Sequence, residues 1–182
     1  MLFSNLVPSL VLSALTVCAV AVAHADSPSA ALHTVPQVDL SRYMGRWYVI
    51  SHVPNLLEKN KVNTSDNYVL KDDGTIGVSF VFRKGSLDAP EKSWKGTGWV
   101  LNQATDAEWS VRLIWPVKSS YWVLELDPNY QWVVASTKDG KLFWVMARTP
   151  TIAVSTYRMI LDRIRAQGLD PAKLEKVLQP SS

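Results

Sequence analysis

Between residues 43 and 147 the chain is a succession of short runs of β-branched and aromatic residues separated by turn signals, and within the runs apolar positions recur with period two. Ile76, Val78, Phe80 and Phe82 fall on one face of such a run, and Trp109, Val111, Leu113 and Trp115 on one face of another, opposite Ser110 and Arg112. Successive side chains of an extended strand point to opposite faces, so this pattern gives each run one face for a core and one for water. The runs are Tyr43 to His52, Asn67 to Leu70, Thr75 to Arg83, Ser93 to Asn102, Trp109 to Trp115, Tyr121 to Leu126, Trp132 to Ser136 and Leu142 to Ala147. Asp72, Asp73 and Gly74 form one tight turn and Lys138, Asp139 and Gly140 another, because Asp and Gly tolerate the positive φ that hairpins need. Eight strands joined by hairpins predict an all-β, antiparallel domain; alternation by itself does not separate a closed barrel from a β-sandwich.

After Arg148, Thr149 and Pro150 the period changes. Tyr157, Ile160, Leu161 and Ile164 recur at helical spacing and leave one apolar stripe, with Thr151 or Ser155 available as N-cap and Gly168 at the C-terminal end. The stripe is expected to cover the outside of the sheet, where Trp122, Leu124, Leu126, Phe143 and Val145 would otherwise meet water. A short ninth strand is expected within Leu174 to Leu178.

A chain of 182 residues supports one domain with a sizeable core. Its 19 basic and 16 acidic residues are scattered, with no basic cluster to follow a phosphate backbone, so nucleic acid is not an expected partner. Residues 1–25 contain no Lys, Arg, Asp or Glu, and Leu6 to Val22 is broken only by Pro8, Ser9, Ser13 and Thr16. Ala23 and Ala25 are the small residues that a signal peptidase accepts, which predicts a signal peptide over 1–25 and export. Cys18 is the single cysteine, so the mature domain is expected to fold without a disulfide. Leu15, Thr16, Val17 and Cys18 also resemble a bacterial lipobox, which keeps an outer-membrane lipoprotein anchored through Cys18 as the alternative. Residues 26–37, rich in Ser, Ala and Pro, are expected to form a flexible spacer.

Gly45, Trp47 and Tyr48 at the head of the first strand, with Arg148 leaving the last, resemble the signature of the lipocalins. Leu126 to Tyr130 is similar to that family's loop after the sixth strand, Trp94 to Trp99 to its Gly-containing fourth strand, and Leu142 to Pro150 to the eighth-strand motif of its bacterial members. The resemblance runs from about Val38 to Pro180, hence a lipocalin domain over 38–180. It implies an eight-stranded antiparallel up-and-down barrel with a C-terminal α-helix packed outside. Trp47 would plug the closed end with Arg148 across it, a structural pairing favoured by cation–π attraction.

The family's strand register places Val49, Ile76, Val78, Phe80, Phe82, Trp94, Gly96, Gly98, Val111, Leu113, Tyr121, Val123 and Trp144 on the inner face. All but Ile76 and Gly96 are candidate ligand-binding residues. Two inward glycines either leave room for a guest or relieve a sharply coiled strand. The same register turns Glu125 into the cavity as a further candidate, against the alternative of a solvated outer position. A carboxylate in an apolar barrel needs a partner, a proton or a polar ligand group.

The resemblance implies non-enzymatic carriage or storage of a small hydrophobic ligand, a fatty acid or lysophospholipid, in the bacterial cell envelope, with the periplasm as the destination of the exported chain. No cofactor is expected. An enzyme is the first alternative, but the barrel has no cysteine nucleophile and a single histidine, His52, with no Asp or Ser partner evident in sequence. His52 could also serve as an axial haem ligand, or stand as a polar residue at the mouth. A structural or interaction protein of the envelope is the third reading, since Leu56 and Leu57 could form a homodimer contact, touch the outer membrane, or fold over the mouth as a lid. Export is directly testable: a bulky residue in place of Ala25 should block processing. Radiolabelled palmitate on the wild-type chain, absent from Cys18→Ser, would instead establish lipidation.

Overall fold

A computed structural model of the chain describes residues 31–180. The expected signal peptide, Cys18 and the first part of the spacer lie outside the described residues. Eight strands follow in order: β1 (Gly45–His52), β2 (Lys61–Leu70), β3 (Ile76–Lys84), β4 (Lys92–Val100), β5 (Glu108–Ile114), β6 (Val117–Leu126), β7 (Trp132–Ser136) and β8 (Phe143–Ala147). Each pairs antiparallel with the next, and β1 pairs with both β2 and β8, so the sheet closes on itself as an up-and-down barrel. Closure removes the free sheet edges that a sandwich would keep.

Helix α1 (Leu40–Tyr43) precedes β1 and is capped by Asp39, whose Oδ1 accepts from the backbone N–H groups of Ser41 and Arg42. Helix α2 (Val154–Ala166) lies outside the barrel. Ile160 and Ile164 of its stripe are fully buried against the outer faces of β7 and β8, where Trp132, Val134, Phe143 and Val145 form a second core with them. Every residue of β7 is buried because the barrel core covers one face and α2 the other. The N-cap of α2 is Ala153 with no side-chain cap, in place of the expected Thr151 or Ser155.

A ninth strand, β9 (Glu175–Lys176), pairs with Ser51 and His52, and is shorter than the expected run. It lies where β1 and β2 part, since their pairing ends at Tyr48 and Ser65. The gap is closed by Asn63 N–H donating to the Leu178 carbonyl at 2.8 Å, while Gln179 Nε2 donates to the carbonyls of Val49 (2.8 Å) and Thr64 (2.9 Å).

Three local readings of the sequence are revised. The run at Asn67 to Leu70 is only the end of a ten-residue β2, whose polar stretch Asn63 to Asp66 gives no apolar alternation to read. Trp115 lies beyond β5 at the tip of the β5–β6 hairpin and is 79% exposed, so it does not share the inner face with Trp109. Within β6 the register against β7 slips at Leu124, so that Val123 pairs with Ala135 and Glu125 with Val134. A bulge inverts the alternation. Leu126 therefore packs with Val123 in the barrel core instead of under the helix. The described part of the expected spacer, residues 31–37, runs along the barrel, with Val35 N–H on the Val123 carbonyl at 2.9 Å.

The closed end rests on one stack. The Arg148 guanidinium carbon lies 3.7 Å from the centre of the fully buried Trp47 ring, and its nitrogens donate to the carbonyls of Arg42, Tyr43, Arg46 and Tyr130. Gly45, at φ +92°, is the residue that lets the chain pass beside it: a Cβ there would stand 3.4 Å from Arg148 Nη1. Trp47→Ala should destabilise the fold by about 3–5 kcal/mol. Arg148→Ala should cost less, and a double-mutant cycle in urea should show the two losses to be non-additive, by roughly 0.5–3 kcal/mol.

Candidate functional site

The barrel is plugged at one end and hollow at the other. The plug is aromatic: Tyr43 lies 5.1 Å from Trp47 and 5.3 Å from Trp109 between ring centroids, and Tyr121 stacks on Trp109 at 5.1 Å. Tyr68 meets Trp109 at 5.6 Å and Tyr121 at 5.9 Å. The polar edges of these rings are satisfied within the plug. Trp47 Nε1 donates to the Tyr43 carbonyl at 2.8 Å, Trp109 Nε1 to the Asp106 carbonyl at 2.7 Å, and the hydroxyls of Tyr43 and Tyr121 share a 2.6 Å hydrogen bond. Burial pushes the Tyr43, Tyr68 and Tyr121 phenols well above their usual range, so they are neutral donors.

Above this floor opens a cavity of about 180 Å³. Its walls are Val78 and Phe80 from β3, Val111 and Leu113 from β5, Tyr121 from β6 and Trp144 from β8, all on the inner face of the barrel. Leu57 of the β1–β2 loop, Ile114 and Val117 line the mouth. The loop is tethered by Glu58, whose carboxylate accepts from Trp144 Nε1 at 3.0 Å, from Asn55 Nδ2 and is joined to His52 Nδ1 at 2.9 Å. Burial raises the Glu58 carboxyl, but the hydrogen bond and charge of His52, with the bonds from Asn55 and Trp144, outweigh it and hold the group below its ordinary value.

Of the other residues expected to bind ligand, Val49 and Val123 point inward but are completely covered by the core. Phe82 and Trp94 cluster with Phe80 at the open end, beneath the Lys61 ammonium, which lies 4.8 Å from the Phe82 ring centre and 4.6 Å from that of Trp94. They stand beside the cavity and do not line it. Gly98 is buried between Ile76 and Val111, with a Cβ there meeting their carbons at 3.5 and 3.7 Å. Gly96 is tighter still, since a Cβ would come within 2.5 Å of the Arg112 carbonyl oxygen. Gly96 lets β4 approach β5, a Cβ at Gly98 would make only ordinary contacts, and neither glycine lines the cavity. Glu125 faces the opposite way from that expected: its carboxylate accepts from Arg163 Nη1 at 3.1 Å and Gln167 Nε2 at 2.8 Å, holding down the end of α2. The bulge at Leu124 is the cause.

The inner carboxylate that the sequence reading lacked is Asp66. It lies opposite Trp47 on one side and Phe80 on the other, and so faces inward over the floor. Among the described residues its carboxyl takes one hydrogen bond, from the Tyr68 hydroxyl at 3.3 Å. Burial, reinforced by the negative charge of Glu58 and opposed only by the Tyr68 bond, pushes the Asp66 carboxyl up to about 7. A signal existed, because Asp66 and Tyr68 are two residues apart on one strand and share a face.

A family model described as a lipocalin-like domain matches residues 38–179. The chain is 31% identical over 158 residues to temperature-induced lipocalin-1 of Arabidopsis thaliana, covering 81% of this chain and 83% of that one. It is 28% identical over 159 residues to the outer membrane lipoprotein Blc of Escherichia coli, covering 86% of this chain and 88% of the relative. Among solved structures, the cockroach major allergen Per a 4 superposes with a TM-score of 0.63 at 22% identity, over 85% of this chain and 97% of the allergen, and shares the fold.

Asp66 should leave a signature in stability. A carboxyl raised in the folded state from about 3.9 in the unfolded chain favours folding most below pH 4, and that advantage is lost as pH rises toward 7. Urea unfolding at pH 5 and pH 8 should therefore show the wild type losing ground to Asp66→Asn at the higher pH, by at most roughly 2–3 kcal/mol.

Proposed function

Because the chain belongs to the lipocalin-like domain family, we propose that it is a non-enzymatic carrier or store of a small hydrophobic ligand, a fatty acid or lysophospholipid, in the bacterial cell envelope. The observation that carries this reading is the cavity itself. Its wall is apolar on β3 and β5, through Val78, Phe80, Val111 and Leu113, and it opens at one end only, above a floor of packed rings. A cavity of about 180 Å³ lies below the roughly 300–1,000 Å³ of ordinary small-molecule pockets, which suits one acyl chain partly seated, with its head group outside. Lys61, the first residue of β2, supplies a cation over Phe82 and Trp94 at the open end.

Placement in the envelope is supported by similarity to relatives named as outer membrane lipoproteins and by the export signal read in residues 1–25. Anchoring through Cys18 is the alternative to a free periplasmic protein. Leu56, Trp115 and Val117 are 89, 79 and 65% exposed on the open-end segments and would suit contact with the outer membrane or a second copy. Binding fits the cavity better than catalysis, because His52 and Glu58 are already engaged in tethering the β1–β2 loop.

Titration of saturated fatty acids and lysophospholipids against tryptophan fluorescence tests the reading. Affinity should rise with chain length, by up to about 0.8 kcal/mol per methylene, and level off once the cavity is full. Leu113→Trp should shorten the chain length at which it levels while leaving the unfolding midpoint nearly unchanged. No saturable binding by either lipid class would overturn the reading.

A further inference from the structure

Two carboxyl groups face the cavity, and of these Glu58 is paired with a basic side chain, His52, at 2.9 Å. Asp66 and Glu58 both line the cavity, and among the described residues no Lys or Arg does. Lys61 of β2 sits over Phe82 and Trp94, where it also feels the charge of Glu58, and Arg148 lies across Trp47. The two carboxyl groups differ in how far they are satisfied. Glu58 has partners in His52, Asn55 and Trp144, whereas among the described residues the Asp66 carboxyl has the long bond from Tyr68 alone, with Trp47 and Phe80 as cross-strand neighbours. A carboxylate in such surroundings has unused acceptor capacity directed into the cavity. Around it stand the rings of Tyr68, Phe80, Tyr121 and Trp144, whose faces attract cations.

We propose that the inner end of the cavity is a binding site for the ammonium group of an apolar amine, which enters amine first, pairs with Asp66 and lays its hydrocarbon part along Val78, Val111 and Leu113. This is a second ligand class, opposite in polarity to an acyl chain seated tail first, and it rests on the reading of the cavity as a ligand site. A fatty acid cannot reverse its direction to use the same site, because its carboxylate would face both Asp66 and Glu58. A neutral alcohol can fill the space but leaves the buried charge uncompensated.

Octylamine, octan-1-ol and octanoate, matched in chain length, distinguish these cases when titrated into the folded mature protein by calorimetry at pH 8. The amine should bind roughly tenfold or more tighter than the alcohol, the margin expected of a charge-assisted hydrogen bond in a secluded site. In Asp66→Asn, which keeps shape and removes charge, the amine-to-alcohol ratio should fall close to one. Equal binding of amine and alcohol by the wild type overturns the amine site while leaving the carrier reading in place. An amine preference that survives Asp66→Asn overturns the assignment to Asp66. Failure of all three probes together with the longer acyl series overturns both readings.

Discussion

Closing a sheet into a barrel leaves two ends, and one of them must be sealed if the interior is to hold anything. Here the seal is the contact of Arg148 with Trp47. The guanidinium lies on the indole face and its remaining donors reach carbonyls of α1, of β1 and of the loop between β6 and β7, so that first strand, last strand and loop are tied at one point. The loop is built for this attachment: Asp127 Oδ2 accepts from the N–H groups of Asn129 and Gln131, and Tyr130, at φ +60°, turns its carbonyl toward Arg148. Its ring and hydroxyl meet Arg42 and the Asp39 N–H, which brings α1 under the barrel. A guanidinium suits the position because its planar fork stacks and donates at once, which a lysine cannot do.

The plug also determines what the cavity can be. With Trp47, Trp109 and Tyr43 filling the narrow end, the hollow is confined to the upper half, and the rings of Tyr68 and Tyr121 become its floor. The position of Asp66 follows from the same packing. It is paired across the sheet with Trp47, so the residue that seals the barrel also fixes a carboxyl just above the seal. A half-buried acid among apolar walls is unfavourable for the fold in its charged form. Its position on the cavity wall, away from the filled core, gives that unfavourable group a place in ligand selection.

Strand irregularities decide details that alternation suggests wrongly. The slip at Leu124 moves Glu125 from the inside to the α2 side and Leu126 from the outside to the core. The close approach of β5 to Gly96 turns an apparent vacancy into a packing requirement. At the other end, β1 and β2 separate after Tyr48 and Ser65, and the C-terminal segment enters the breach through β9 and Gln179. Each departure trades ladder hydrogen bonds for curvature, which a sheet of eight strands needs in order to meet itself.

The strand runs apart from most of β2 and the end of β5, the hairpin turns, the outer helix with Ile160 and Ile164, and the Gly45, Trp47 and Arg148 signature were legible in the sequence, because each depends on residue type and local pattern. So were Val78, Phe80, Val111, Leu113, Tyr121 and Trp144, whose inward direction the resemblance to the lipocalins implied. The true orientation of Glu125, the filled surroundings of Gly96 and Gly98, and the tether at Glu58 were not, for they depend on a bulge, on the distance between strands and on a loop folding back to β8. Asp66 lies between the two kinds. Its face could be read from Tyr68, but that no Lys or Arg among the described residues lines the cavity with it is a property of the closed barrel, and only the tertiary structure shows which side chains reach the cavity and which do not.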